Sequence, residues 1–466
     1  MNEFKLLIGG RLVSTTDTVN VINPATEEVL AACPVASQND VEETVAAAKA
    51  AFPGWSRAPL AERRDAMRAI ADVLEQNASE LARLLTQEQG KPLGEATREV
   101  MATSVFFRNF CNIDLPAREI RSESRRVEML RKPLGVVAAI VPWNFPLVLM
   151  AMKVPPALLT GNTVILKPAP STPLTTLRIG ELIKDVLPPG VLNIISGNNE
   201  LGAWLTAHPD VRKISFTGST ATGARVMQGA AATLKRITLE LGGNDAAIVL
   251  DDVNPKEVAP KLFQGAFQNN GQVCIAIKRL YVHDSIYDEV CNELAALADS
   301  AVVGDGLKQG TQFGPLQNKP QYERVLELIA DAKRYGKAIS GGESPEKAGY
   351  FIRPTIVRDI QDGSRLVDEE QFGPVLPVIR YTEPEDALSR ANASPYGLGS
   401  SVWSADPARA YELAKRLDAG TVWVNKHGEL ALDTPFGGAK QSGIGNEFGE
   451  EGMAEFTQLH VLNMAV

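Results

Sequence analysis

Between residues 135 and 217 the chain alternates short apolar runs with longer stretches of helical periodicity. The runs are Gly135-Val136-Val137-Ala138-Ala139-Ile140-Val141, Thr163-Val164-Ile165-Leu166, Val191-Leu192-Asn193-Ile194-Ile195 and Lys213-Ile214-Ser215-Phe216. They read as buried strands, and the stretches 147–159, 173–186 and 201–207 as the helices between them. Such a βαβ series predicts a mainly parallel sheet with right-handed crossovers. Ligands of these sheets bind beyond the carboxyl ends of the strands.

The flanks have other textures. Residues 6–35 hold short apolar pieces broken by Gly9-Gly10 and Asn23-Pro24, as in a β-meander. Asp40-Val41-Glu42-Glu43 opens an alanine-rich helix, and residues 59–85 give a longer amphipathic one. A second α/β texture begins at Ala246-Ala247-Ile248-Val249-Leu250, with further strands at 279–282, 400–403 and 421–424. Two domains with a cleft between them is the simplest arrangement. The mixed-charge segment 118–132 reads as a surface strand or linker. The tail Leu459-His460-Val461-Leu462-Asn463-Met464 reads as a strand that must pair with a distant segment or another subunit, because an open apolar edge is a liability.

Composition removes whole classes of function. The 466 residues are 44% hydrophobic and 22% charged, and no apolar run approaches the ~18 residues of a membrane span. A net charge of -9 argues against nucleic acid as a partner. Four scattered cysteines, with no C-x-x-C pair and no histidine at ligand spacing, indicate neither disulfides nor a metal site. Reduced thiols and an N-terminus without secretory features predict a cytoplasmic protein.

Chemistry concentrates at the strand ends. The first strand runs into Pro142-Trp143-Asn144-Phe145-Pro146, the second into Lys167-Pro168-Ala169-Pro170, the fourth into Thr217-Gly218-Ser219-Thr220. The last suits a phosphate at a helix N-terminus, and equally a simple helix cap. In the second half, Gln268-Asn269-Asn270-Gly271-Gln272-Val273-Cys274 sets one thiol behind a polar turn. Cys274 is the candidate nucleophile; a buried core cysteine is the alternative.

Pro142-Trp143-Asn144-Phe145-Pro146, Lys167-Pro168, Phe216-Thr217-Gly218-Ser219, Glu240-Leu241-Gly242-Gly243, Gly271-Gln272-Val273-Cys274, Glu370-Gln371-Phe372-Gly373-Pro374 and Pro435-Phe436-Gly437-Gly438 together resemble the aldehyde dehydrogenase superfamily in order and spacing. The resemblance implies an α/β fold: a Rossmann-like NAD(P)-binding domain (1–114 and 135–243), a catalytic domain (244–440) and a small β extension for oligomerisation (115–134 and 441–466). It implies a homodimer or homotetramer that oxidises a small aldehyde to an acid, with Cys274 as nucleophile, Asn144 as oxyanion donor and Glu240 as base for hydrolysis of the thioester. Lys167, Gly218, Ser219, Leu241, Glu370, Phe372 and Trp143 would hold the dinucleotide, and Lys153 with Glu447 would relay protons or form an ordinary salt bridge. NAD is the expected cofactor; Pro170 stands where many NAD-preferring relatives carry an acid, which leaves NADP open.

By the same resemblance Met101, Met152, Val273, Ile275, Leu430 and Phe436 wall the substrate tunnel. All are apolar, which favours an uncharged aliphatic or aromatic aldehyde. Arg108 lies near enough to suggest the alternative of a semialdehyde with a carboxylate. A cofactor-independent thiol esterase or acyltransferase is the remaining rival.

Overall fold

The computed structural model describes residues 3–345 and 348–465. Three sheets organise the chain, besides two small two-stranded ones. The first has eight strands, and its five parallel members lie in the order Leu192–Ile194, Thr163–Lys167, Val136–Ile140, Val211–Thr217, Arg236–Glu240. Numbered along the chain that order is 3-2-1-4-5, the dinucleotide-binding arrangement, whose switch point falls between the first and fourth strands. The hairpin Leu6–Ile8 with Arg11–Val13 closes one side of this sheet and Gly443–Ile444 the other.

The second sheet has seven strands, centred on Val375–Tyr381, Ile277–His283, Asp245–Val249 and Gly399–Trp403, all parallel. The chain passes from Glu240, the end of Arg236–Glu240 in the first sheet, to Asp245, the start of Asp245–Val249 in the second, through only residues 241–244. The two sheets therefore face the junction with opposite ends: the first with its carboxyl termini, the second with its amino termini. Cys274, Glu370 and Phe372 all precede strands of the second sheet, so the rule of carboxyl ends, which located the first half of the site, does not locate this half.

Three expected elements differ. The helix expected over 147–159 is two, Pro146–Ala151 and Val154–Leu159, because Pro155 and Pro156 lack the N–H groups that would continue the first. Lys153 stands buried at the break. The helix over 59–85 is likewise two, Leu60–Gln76 and Ala78–Gln89, parted at Asn77, whose amide donates back to the Val73 carbonyl at 2.8 Å. The alanine-rich helix begins earlier, at Gln38, where Ser37 and Asp40 form a reciprocal capping box.

The third sheet joins the hairpin Arg118–Arg121 and Arg125–Pro133 to the tail strand Thr457–Ala465, so the tail does pair with a distant segment. The expected extension 441–466 divides: Gly443–Ile444 serves the first sheet, and only the tail strand joins the hairpin. Leu459, Val461, Leu462 and Met464 are exposed along that edge strand. No described helix is long and apolar enough to cross a membrane, and no group of three potential metal ligands occurs among the described residues.

Candidate active site

The turn Gln268–Gly271 precedes Cys274, and its Asn269, Asn270 and Gly271 all have positive φ, at 47°, 56° and 74°. Asparagine and glycine are the residues that enter this region most readily. The Asn269 amide donates to the Asn144 carbonyl at 3.0 Å, the Asn270 amide to the Gly314 carbonyl at 2.9 Å, and the Gln272 amide to the Asn269 carbonyl at 2.9 Å. A Cβ at Gly271 would fall on the Gly373 carbonyl. Gly271→Ala is therefore expected to cost at least about 2 kcal/mol of stability and to misplace Cys274, which urea unfolding together with activity would measure.

Beneath the sulfur, the buried Lys278 ammonium donates to the Val273 carbonyl at 2.8 Å and the Cys274 carbonyl at 2.7 Å. Cys274 itself is half-buried, and its backbone N–H has no acceptor among the described residues. Burial pushes its thiol up to about 12; Lys278 opposes this, while Asp245, Glu240 and Glu370 add to it. The three carboxyls thus lie within electrostatic reach of the sulfur, and the thiol reacts only once a proton has been taken from it.

Asn144 is 4% exposed, and its amide donates one N–H to the Gln272 carbonyl at 3.0 Å, leaving the second N–H uncommitted among the described residues. The loop that carries it is clamped by a buried ion pair, Lys91 with Glu99. Lys91 donates to the Asn144 carbonyl at 2.9 Å and sits 3.8 Å above the Phe145 ring, while Glu99 accepts from the Leu147 N–H at 3.0 Å.

Glu240 is buried, and neither carboxylate oxygen has a hydrogen-bond partner among the described residues. Burial, then the charge of Glu447, raises its pKa well above the ordinary carboxylate value, against the pull of Lys153. Lys153 and Glu447 are themselves buried and paired at 2.7 Å. The turn after Glu240 is stitched down by Glu370, which accepts from the Gly243 N–H at 3.0 Å, and by Ser442, whose carbonyl accepts from the Leu241 N–H at 2.9 Å.

On the dinucleotide side, Lys167 is buried with one acceptor among the described residues, the Pro168 carbonyl at 3.3 Å, and burial lowers its pKa to about 8. Ser219 caps the helix Thr220–Ala231, accepting from the Thr222 N–H, and is exposed in front of it. At Gly218 a Cβ would meet the Phe216 ring at 2.5 Å, so the close turn requires glycine. Trp143 and Phe372 meet edge to face at 5.4 Å.

The expected tunnel residues are only partly gathered. Val273 and Leu430 are half-buried, Ile275, Phe436 and Met152 buried, but Met101 is 39% exposed on the surface of the helix Leu93–Phe110. Arg108 is taken up by Asp72 at 2.5 Å and Glu75 at 3.1 Å on an exposed face, so it is not free for a substrate carboxylate.

Sequence reading passed over Lys91, Glu99, Lys278, Asp245 and His427. His427 is held neutral, its pKa lowered to about 3 by burial. Its Nε2 lies 2.7 Å from the Ile275 carbonyl and its Nδ1 2.9 Å from the Ser401 hydroxyl, so Nε2 donates and Nδ1 accepts. The available signal was a charge set inside an apolar run: Asp245 heads Ala246-Ala247-Ile248-Val249, and Lys278 follows Ile277 in a buried strand.

A sheet in dinucleotide-binding order whose loops converge with those of a second sheet around one thiol is the arrangement of a dinucleotide-dependent oxidoreductase. The sequence matches the aldehyde dehydrogenase family over residues 12–462, and the chain belongs to that family. Among its relatives, a mitochondrial aldehyde dehydrogenase of Leishmania tarentolae is 41% identical, over 99% of this chain and 95% of that one. The phenylacetaldehyde dehydrogenase of Pseudomonas fluorescens is 40% identical, over 99% and 96%. The structure of an aldehyde dehydrogenase from Bacillus cereus in complex with NAD+ superposes with a TM-score of 0.97 at 37% identity, covering 100% of this chain and 97% of that chain.

Proposed function

We propose that the protein oxidises an uncharged aliphatic or aromatic aldehyde to the free acid with NAD, by covalent catalysis at Cys274. The observation that carries this reading is that two donors at the turn holding Cys274, the Cys274 backbone N–H and the second N–H of the Asn144 amide bound to the Gln272 carbonyl, are uncommitted among the described residues. Attack of the thiolate on the aldehyde carbon makes the carbonyl oxygen anionic, and these donors meet the charge. Asn144→Ala is expected to lower kcat by about 10²–10³-fold with little change in cofactor affinity, measured by steady-state kinetics and fluorescence titration.

Residues at the junction of the two sheets fit a dinucleotide: an ammonium short of acceptors at Lys167, a capped helix end at Ser219, the aromatic pair Trp143 and Phe372, and Glu370. Lys167 and Glu370 would hold its two riboses and Ser219 its pyrophosphate; bound NAD supplies a hydride acceptor. Glu240 then takes a proton from the water that cleaves the thioester. NAD is preferred, although Pro170 offers no carboxylate to exclude a 2′-phosphate. Engagement of Arg108 with Asp72 and Glu75 speaks against the semialdehyde alternative. The phenylacetaldehyde activity named for the Pseudomonas relative agrees with an aromatic substrate.

The same reading assigns residues 1–114 and 135–243 to the cofactor domain and 244–440 to the catalytic domain. It also makes the exposed apolar edge Thr457–Ala465 a contact between copies of the chain, so that light scattering should return a dimer or tetramer and not a monomer. Four free thiols are in keeping with a cytoplasmic enzyme. A panel of aliphatic, aromatic and carboxylated aldehydes with NAD and NADP, followed at 340 nm, tests the function: growth of absorbance with the neutral aldehydes is expected, and silence across the panel overturns it.

A further inference from the structure

The loop that carries Cys274 has every carbonyl turned onto a buried donor. The Gln272 carbonyl accepts from the Asn144 amide at 3.0 Å, and the Ile275 carbonyl from His427 Nε2 at 2.7 Å. The carbonyls of Val273, Cys274 and Ala276 accept from one ammonium, that of Lys278, at 2.8, 2.7 and 3.4 Å. Three N–H groups meet three acceptors, so the ammonium is fully committed to the loop. Each carbonyl oxygen from 272 to 276 is thereby kept from repelling negative charge that forms on the adduct.

Lys278 is the second residue of the strand Ile277–His283 and is 2% exposed. Burying an ammonium at that depth costs free energy that an apolar side chain would not. The carboxylate within ion-pair range, Glu370, stands off at 3.8 Å and is itself engaged by the Gly243 N–H at 3.0 Å. The position therefore calls for a role beyond cohesion.

The peptide unit between Val273 and Cys274 shows what that role is. Peptide units are planar and trans, so their C=O and N–H point in opposite directions. The Val273 carbonyl accepts from Lys278 and also from the Ala276 N–H at 3.1 Å, which turns the Cys274 N–H to the other side, where it has no acceptor among the described residues. A cation on the carbonyl also draws electron density through the unit and makes its N–H a stronger donor.

Resting on the proposed dehydrogenase reaction, we propose that Lys278 is a positioning residue for the oxyanion: it aims and polarises the Cys274 N–H from behind, without touching substrate. When the thiolate, its proton already taken, attacks the aldehyde, one S–C bond forms and the carbonyl π pair moves onto oxygen. That charge grows in front of the N–H whose own peptide ends on the ammonium. Lys278 acts on the sulfur as well: after burial, which raises the thiol, it is the first of the charges felt there, and it opposes Asp245, Glu240 and Glu370.

Two reactions of Cys274 separate the two effects. Iodoacetamide alkylates a thiolate by displacing iodide and creates no oxyanion, whereas the first turnover of NAD to NADH requires one. Wild type, Lys278→Met and Lys278→Gln are compared in both at about pH 8, alkylation being located at Cys274 by peptide mass and the NADH burst followed by stopped flow with NAD and aldehyde saturating for each. Alkylation is expected to slow by about 10-fold with loss of the charge, and the burst by about 10²–10³-fold. Equal losses in the two reactions would confine Lys278 to the thiol and overturn the assignment, as would an undiminished burst. Lys278→Gln, which keeps a neutral donor, carries the test where the methionine variant does not fold. If wild type itself forms no NADH, the proposed reaction fails rather than the role of Lys278 within it.

Discussion

Cys274→Ala is expected to lower dehydrogenation by more than about 10⁴-fold, because the covalent route is lost entirely and no neighbouring side chain can replace it. Cofactor binding should survive, since Lys167, Ser219 and the Trp143–Phe372 pair belong to other loops. Quenching of tryptophan fluorescence by NAD would measure the binding and 340 nm absorbance the turnover. Loss of both together would make Cys274 a structural residue. A thiol held up to about 12 also implies that the acylation rate climbs with pH from about 7 toward 10, as the thiolate fraction grows.

Glu240→Gln separates the two halves of the reaction. Removing the base should slow hydrolysis of the thioester by about 10²–10⁴-fold while leaving hydride transfer largely intact. Rapid mixing is then expected to show a burst close to one NADH per active site, followed by a slow steady state. Turnover at the wild-type rate would remove Glu240 from the mechanism. Glutamine is nearly isosteric, and the Glu240 side chain makes no hydrogen bond among the described residues, so folding should be little disturbed.

What the sequence revealed follows a physical divide. Four parallel strands of the first sheet were legible because their cores are short apolar runs and the helices between them keep a helical period, and the residues just beyond Ile140, Lys167 and Thr217 were found from that alone, whereas Glu240, at the end of the more polar strand Arg236–Glu240, came from resemblance. Break points inside helices were not: Asn77 and Pro155-Pro156 interrupt patterns whose periodicity continues across the break. Resemblance supplied the joining of Cys274 to Asn144 and Glu240, which lie 130 and 34 residues away in the chain and cannot be paired by local pattern. The supports Lys91, Glu99 and Lys278 escaped because an isolated charge reads as surface until its partner's position is known. Arg108 is the converse case: a charge weighed as a substrate anchor only in the alternative reading, which two surface carboxylates already hold.

The passage from Glu240 to Asp245 through residues 241–244 has a consequence for how the enzyme comes into being. Thiol and base belong to separately organised sheets, and residues 245–424 lie in the chain between Glu240 and the strand Gly443–Ile444 that returns to pair with it. A nascent chain therefore holds its reactive sulfur apart from its base until both halves are built. Activity becomes a report on completed assembly, and partly folded chains in a refolding mixture should be silent rather than slow.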